Sequence, residues 1–199
     1  MEKQKIAFFE VEDWQKEYLS AKLAEVELSF FAEPLSKENV GSVNDCAVIS
    51  PFIYSKIDKE VLHALLNVKL IATRSTGFDH IDVASAKEYK ITVCNVPSYG
   101  ENTVAEHTFS LILALSRKLF DSVLRAKNGD FSLDGLRGFD LKDKTIGIIG
   151  LGHIGLHVAR IAKGFEMKVI AHDLKPDKKL AKKFGFDYTD FEDLLSRSD

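Results

Sequence analysis

Cysteine, tryptophan and methionine are scarce in this sequence. Two cysteines, Cys46 and Cys94, occur among 199 residues, and they stand far apart without a CxxC spacing. A disulfide framework or a cysteine-based zinc cluster needs more thiols at closer spacing, so the pattern argues against both. We expect both cysteines to be buried thiols of the core.

Long apolar runs and an excess of one charge are also missing. The longest largely apolar stretch, Phe109–Leu115, is far shorter than the ~20 residues of a membrane span. The N-terminal segment turns acidic after a few apolar residues, unlike a signal peptide. With 27 basic and 30 acidic residues, the net charge of −3 provides no general attraction for nucleic acid or an anionic membrane. We expect a cytoplasmic protein that acts on small molecules, without nucleic-acid or membrane partners.

Short apolar segments alternate with helix-like segments in the first half of the chain. Strands that are apolar on both faces are typical of a parallel sheet covered on both sides. The strand-like segments are residues 5–11, 26–31, 46–50, 70–73 and 91–95, and the helix-like ones are 13–24, 58–66 and 83–89. This repetition predicts an α/β fold, with a doubly wound, flavodoxin-like domain over residues 1–100.

A long helix is predicted to open a second domain, residues 101–199. Thr103 and Glu106 have the spacing of a capping box, and Asn128 with Gly129 is a plausible helix end. The apolar residues of 103–128 cover nearly the whole circumference, which is typical of a buried helix between domains or subunits.

A glycine-rich motif follows a predicted strand in this second domain. Gly150, Gly152 and Gly155 form a GxGxxG pattern between the strand 144–149 and the helix 153–163. In a partial Rossmann domain these glycines allow the turn, the approach of pyrophosphate and close helix packing. A purely structural glycine turn is the alternative.

Asp173 stands at the end of the next predicted strand, residues 168–172. An acid about 20 residues beyond the glycines accepts ribose hydroxyls and repels a 2′-phosphate, which favours NAD over NADP. Lys175 nearby weakens that preference. His153 and His157 have a zinc-chelating helical spacing, but they lack a third ligand and His153 falls in the phosphate turn, so we expect no metal site.

Three segments together carry a resemblance to a known family. They are Ile71–Asp82 (IATRSTGFDHID), Asn95–His107 (NVPSYGENTVAEH) and the glycine motif. In these segments the chain resembles the D-isomer-specific 2-hydroxyacid dehydrogenases, and among them the fermentative D-lactate dehydrogenases. The resemblance is collinear from near the N-terminus to Asp199. It implies a substrate domain over 1–100 and an NAD-binding domain over 101–199.

The resemblance also implies roles for individual residues. Ser75, Thr76 and Gly77 match the loop whose backbone amides hold the substrate carboxylate, and a glycine turn of this kind can bind an anion. Tyr99 matches a residue on the substrate side, with interdomain packing as the alternative. The positions expected to contact the cofactor are Thr103, which as an alternative only caps a helix, together with Gly150, Gly152, His153, Ile154, Gly155 and Asp173.

The catalytic arginine, glutamate and histidine of the family have no match in this chain. In the resemblance all three lie beyond the position of Asp199, and no histidine follows His172. We therefore expect a fragment of a homodimeric, NAD-dependent enzyme that interconverts 2-keto and D-2-hydroxy acids, most simply pyruvate and D-lactate. This chain alone should be inactive. Alternatives are a non-enzymatic NAD-sensing or corepressor-like module, and enzymes of the same scaffold acting on phosphoglycerate, glyoxylate, formate or phosphite.

Overall fold

The computed structural model describes residues 4–199, and the chain divides into two compact units between Tyr99 and Gly100. The first unit contains a five-stranded parallel sheet in the order β2-β1-β3-β4-β5. Its strands are β1 Lys5–Phe8, β2 Glu27–Phe30, β3 Val48–Ser50, β4 Leu70–Ala72 and β5 Thr92–Cys94. Its helices are α1 Asp13–Lys22, α2 Lys59–Ala64 and α3 Val83–Glu88, with a 3-10 turn at Val40–Val43.

Apolar strand residues build the core of this first sheet. Phe9, Ile49 and Ile71, on or beside three neighbouring strands, are fully buried. Asp58 and Asp82 begin α2 and α3, where their carboxylates accept hydrogen bonds from first-turn amides. Apolar strands and capped helices therefore produce the predicted flavodoxin-like order.

The second unit contains a three-stranded parallel sheet in the order β6-β7-β8. Its strands are β6 Thr145–Ile149, β7 Lys168–His172 and β8 Asp187–Tyr188. Its helices are α4 Glu101–Ser116, α5 Leu119–Lys127, α6 His153–Gly164, α7 Lys178–Phe184 and α8 Phe191–Arg197. The rings of Phe109 and Phe165 stack at 5.3 Å and join α4 to the end of α6. The predicted fold class, two parallel α/β sheets with a Rossmann-type strand–helix–strand unit, is confirmed.

The prediction of one helix over 103–128 is wrong. α4 runs from Glu101 to Ser116, and Lys118, whose φ of 51° is left-handed, separates it from α5. The carbonyl oxygen of Ser116 accepts a hydrogen bond of 3.0 Å from the amide of Phe139. A distant segment thus takes up a carbonyl that a continuing helix would use, and the local sequence contains no sign of the break.

The predicted start of this helix is also wrong. Gly100 is the N-cap of α4, so Thr103 and Glu106 do not form a capping box. Burial of this segment between domains or subunits stays a prediction, since Leu115 and Phe120 are 70% and 71% exposed in the single chain. The buried positions of α4 are Ala105, Phe109, Ala114 and Ser116.

The cysteine prediction is confirmed for one residue and wrong for the other. Cys46 is buried, and burial raises the pKa of its thiol to about 11. Cys94 is exposed because it lies in β5, an edge strand of the first sheet. Among residues 4–199, none of the helices combines the length and apolar character that crossing a bilayer requires.

Glu10, just after β1, holds the loop that follows β3. Its carboxylate accepts hydrogen bonds from the amides of Phe52, Tyr54 and Ser55 at 3.1, 2.8 and 2.9 Å, and also from the Ser55 hydroxyl. Burial acts to raise the pKa of Glu10, but these hydrogen bonds outweigh it and lower the pKa below its ordinary value of 4.5. The ionised carboxylate therefore stabilises this loop.

We expect Glu10→Gln to destabilise the first unit at neutral pH by about 1–3 kcal/mol, because a carboxamide turns an NH2 group towards N–H donors. A lowered native pKa means that the ionised form stabilises the fold above the ordinary pKa of 4.5. That stability is lost as the pH falls through the lowered value. Urea unfolding from pH 7 to pH 3 should show the two proteins converging below about pH 4.5.

Glu17→Gln is the matched control for this prediction, because Glu17 is an exposed glutamate on α1. Its free energy of unfolding should stay close to that of the wild type throughout. If the free energy of unfolding of Glu10→Gln stayed below that of the wild type by the same amount as the pH falls, the role of the ionised carboxylate would be contradicted.

Candidate functional site

The turn between β6 and α6 is built on the close approach of two glycines. Gly150 has a φ of +86°, a conformation that favours glycine, and its amide donates to the carbonyl oxygen of His172 at 2.8 Å. A Cβ atom on Gly155 would overlap the carbonyl oxygen of Gly150. The first turn of α6 therefore packs directly on the end of the strand.

Gly152 faces open space at the start of α6. It is the N-cap of the helix, and a Cβ built on it has no heavy atom within 4 Å. No side chain caps this helix of 12 residues. Its first-turn amides, which include those of His153 and Ile154, carry the partial positive charge of a helix N-terminus. An anion can therefore approach the backbone here.

Glu101, at the start of α4, is a neighbour of this turn that we did not predict. Its Oε1 atom lies 3.2 Å from Nδ1 of His153, and the His153 side chain is itself largely exposed. The imidazole is therefore held to one side of the helix start by a group from another helix.

Asp173 joins the glycine turn through its carboxylate. It accepts hydrogen bonds from the amide of Lys175 at 2.8 Å and from the amide of Leu151 at 2.7 Å. These two amides lower the pKa of Asp173 below its ordinary value of 3.8, so the group is ionised at neutral pH. Each carboxylate oxygen still has a lone pair for a further donor.

The glycine turn, the uncapped helix start and Asp173 fit a dinucleotide. The open space at Gly152 admits a pyrophosphate against the backbone, and Asp173 lies one hydrogen bond away from the same turn. A pyrophosphate matches the open space at Gly152, and a ribose hydroxyl matches the carboxylate of Asp173. The structure thus brings six predicted positions together, namely Gly150, Gly152, His153, Ile154, Gly155 and Asp173.

In the first unit, the predicted acid-binding loop follows β4. Ser75 is buried, and its hydroxyl donates to the carbonyl oxygen of Gly77 at 2.7 Å. The side-chain amide of Asn95 donates to the carbonyl oxygen of Thr76 at 2.8 Å. Thr76 and Gly77 are exposed. Side chains therefore fix the carbonyl groups of an exposed loop.

Arg74, immediately before this loop, is a residue that our sequence interpretation missed. Its guanidinium donates to the carbonyl oxygens of Ser50, Phe9 and Glu10 at 2.6, 2.7 and 3.0 Å. Burial lowers the pKa of Arg74, although arginine keeps its charge. The one signal in the sequence is an arginine two residues after the end of the apolar strand β4.

Tyr99 and Thr103 lie in different units. Tyr99 is the last residue of the first unit and is 60% exposed. Thr103 lies in the exposed first turn of α4. Their predicted roles at the substrate and the cofactor stay predictions. Across the described residues, no group of three or more His, Cys, Asp or Glu side chains is placed to hold a metal ion.

Comparison with known proteins gives a family for nearly the whole chain. Residues 6–190 match the family model described as the catalytic domain of D-isomer specific 2-hydroxyacid dehydrogenase. The chain is 38% identical over 201 residues to 2-hydroxyacid dehydrogenase homolog 1 of Schizosaccharomyces pombe. It is 35% identical over 199 residues to D-lactate dehydrogenase of Escherichia coli. Each alignment covers 98% of this chain and 60% of the relative.

Solved structures give the same result. D-lactate dehydrogenase from Aquifex aeolicus, complexed with NAD and lactic acid, superposes with a TM-score of 0.90 at 35% identity. This superposition covers 98% of this chain and 58% of that one. The apo-structure of the Escherichia coli D-lactate dehydrogenase gives a TM-score of 0.86 at 35% identity, covering 98% and 63%.

The chain spans between 50% and 60% of the length of the first curated relatives. Within that span the family match, the sequence identity and the superposition agree over both units. The chain therefore belongs to the D-isomer-specific 2-hydroxyacid dehydrogenases.

Proposed function

We propose that this chain supplies the cofactor-binding and acid-binding parts of an NAD-dependent D-2-hydroxyacid dehydrogenase. In this proposal residues 1–100 form the substrate domain and residues 101–199 belong to the NAD-binding domain. The reaction is the reversible reduction of a 2-keto acid by NADH and a proton to a D-2-hydroxy acid and NAD. The assembly of the glycine turn with Asp173 is the observation that carries the proposal.

The geometry of the turn supports NAD as the cofactor. Gly152 leaves room for a pyrophosphate at the uncapped start of α6, where His153 and Ile154 present their amides. The ionised Asp173 favours ribose hydroxyls over a 2′-phosphate. The related Aquifex aeolicus enzyme is described in complex with NAD. Comparing the dissociation constants for NADH and NADPH tests this preference, and tighter NADPH binding would contradict it.

The loop after β4 supports a small acid as the substrate. Ser75, Thr76 and Gly77 form a turn whose carbonyl groups are tied back by side chains, and Thr76 and Gly77 are exposed. A turn of this kind can direct backbone amides at a carboxylate. We assign Tyr99 to the substrate side and Thr103 to the cofactor side on the family resemblance alone.

Pyruvate and D-lactate are the substrate pair that the relatives favour. D-lactate dehydrogenases from Escherichia coli and Curvularia clavata are 35% and 39% identical over 98% and 87% of this chain. A D-3-phosphoglycerate dehydrogenase from Archaeoglobus fulgidus is 37% identical, but over only 73% of the chain. The more extensive similarity is to enzymes named for lactate.

Replacing Gly152 tests the cofactor site directly. A Cβ atom at this position meets no protein atom and the φ of −69° suits alanine, so we expect Gly152→Ala to fold normally. The same methyl group enters the space assigned to the pyrophosphate. We expect the dissociation constant for NADH, measured by fluorescence titration, to rise at least about tenfold.

Gly164→Ala is the matched control, because Gly164 ends the same helix and also has open space around its Cβ position. The control should bind NADH like the wild type. If the wild-type chain binds NADH measurably and Gly152→Ala binds it with the same affinity, the assignment of the pyrophosphate to this turn would be wrong.

Turnover by the chain itself is a separate measurement. The family's proton-transferring histidine, its partner glutamate and its arginine match no position in residues 1–199. We therefore expect the pure 199-residue chain to bind NADH without oxidising it in the presence of pyruvate. Sustained NADH oxidation coupled to the formation of D-lactate would contradict this expectation.

We also propose that the chain forms a homodimer through α4 and α5. Leu115, Phe120 and Leu124 are 70%, 71% and 61% exposed, and water contact with so many large apolar groups is unfavourable. Sedimentation velocity should detect a dimer that Phe120→Glu weakens. Phe78→Glu, which changes an exposed phenylalanine of the first unit, serves as the control. A wild-type chain that stays monomeric at high micromolar concentration would refute the proposal.

A further inference from the structure

Arg74 connects three strand ends of the first unit. It follows β4 in the chain, and its guanidinium donates to the carbonyl oxygen of Ser50 at the end of β3. The same guanidinium donates to Phe9 and Glu10, just after β1. The amide of Arg74 also donates to the carbonyl oxygen of Pro51 at 3.0 Å. These residues all lie at the carboxyl edge of the parallel sheet, where α/β folds bind ligands.

Glu10 extends the connection to the loop after β3. Its backbone carbonyl accepts from Arg74, while its carboxylate accepts from the amides of Phe52, Tyr54 and Ser55. The Ser55 hydroxyl also accepts from the amide of Leu35, in the segment after β2, at 2.9 Å. Arg74 and Glu10, which we call the edge clamp, thus tie together segments that follow four strands.

The acid-binding loop starts directly from this clamp. Ser75 is the next residue after Arg74, and its hydroxyl lies 2.7 Å from that of Thr73, on the other side of Arg74 in the chain. The backbone that leads into Thr76 and Gly77 is therefore fixed by Arg74 before the loop turns. A shift of the guanidinium would move the start of the loop.

We propose that Arg74 and Glu10 are positioning residues, which set the Ser75–Gly77 loop in the geometry that binds the substrate carboxylate. This inference rests on the proposed function of that loop. Neither side chain touches the acid. They act through the backbone of Ser50, Phe9 and the loop after β3.

Lysine cannot replace arginine in this role. The planar guanidinium reaches Ser50 through Nη1 and Phe9 and Glu10 through Nη2 at the same time. An ammonium group is a single point on a flexible chain and cannot keep this fork. Arg74→Lys therefore retains the charge and loses the geometry.

The experiment titrates the 15N-labelled full chain with pyruvate and follows the amide signals of Thr76, Gly77 and Phe78 by NMR. We expect these signals to shift in the wild type with a measurable dissociation constant. Arg74→Lys should raise that constant about tenfold to a hundredfold, since small displacements of binding groups have effects of this size. Affinity for NADH, measured in parallel, should stay unchanged because the glycine turn is in the other unit.

Arg197→Lys is the matched control, because Arg197 is exposed and pairs with Asp193 on its own helix. It should bind pyruvate like the wild type. Arg74→Lys and the wild type are compared at a temperature where the amide signals of Ile49 and Ile71 in the core are the same in both proteins. Both proteins are then folded, so a loss of global stability alone would leave the dissociation constant for pyruvate unchanged.

Glu10→Gln is the second variant, in case Arg74→Lys does not fold. It should also weaken pyruvate binding and speed hydrogen exchange at Tyr54 and Ser55. Wild-type affinity in a folded Arg74→Lys or Glu10→Gln variant would overturn the positioning role while leaving the acid-binding loop intact. If pyruvate shifts no amide of residues 76–78 in the wild type, the acid-binding assignment falls, and the positioning role falls with it.

Discussion

Backbone polar groups at the carboxyl ends of the parallel strands must be paired where the strands turn away from the sheet, and both units depend on charged side chains for this pairing. In the first unit Arg74 donates to carbonyl groups and Glu10 accepts from amides. In the second unit Asp173 accepts from the amides of Leu151 and Lys175. Hydrogen bonds to charged groups are stronger than those between neutral groups, so these few contacts fix loops that lack regular structure.

The two units build their candidate binding loops by opposite means. The second unit brings backbone close to backbone, since a side chain at Gly155 would overlap Gly150, and it keeps open space at Gly152. In the first unit the long side chains of Arg74 and Glu10 reach across the carboxyl edge of the sheet and bond to the segments that follow the strands. Asp173 combines both purposes in our proposal, because its carboxylate holds the turn through Leu151 and its remaining lone pairs are those that we assign to a ribose. On this proposal, an exchange of Asp173 would affect the turn as well as the choice of cofactor.

Local patterns in the sequence predict those parts of the structure that local interactions determine. The strand 168–172 and the start of α6 after the glycines are found as predicted. The break after Ser116 escaped prediction because its cause is a hydrogen bond from Phe139, and Arg74 was missed because its partners Phe9 and Ser50 are distant in sequence. The candidate site was accessible from sequence through its glycines and one acid. The contacts that support the site were not, since they form only after the strands have assembled.

Glu10 carries a conformational strain that its hydrogen bonds explain. Its φ of 57° is left-handed, which costs a residue with a side chain about 1 kcal/mol or more. Glycine would remove that strain, but it would also remove the carboxylate that accepts from Phe52, Tyr54 and Ser55. The backbone carbonyl of Glu10 meets Arg74 in this same conformation. The strained backbone lets one residue bond to Arg74 through its carbonyl and to the loop after β3 through its side chain. An unstrained glycine at this position could make only the backbone contact with Arg74. The strained conformation of Glu10 is therefore needed for one residue to connect Arg74 with the loop after β3.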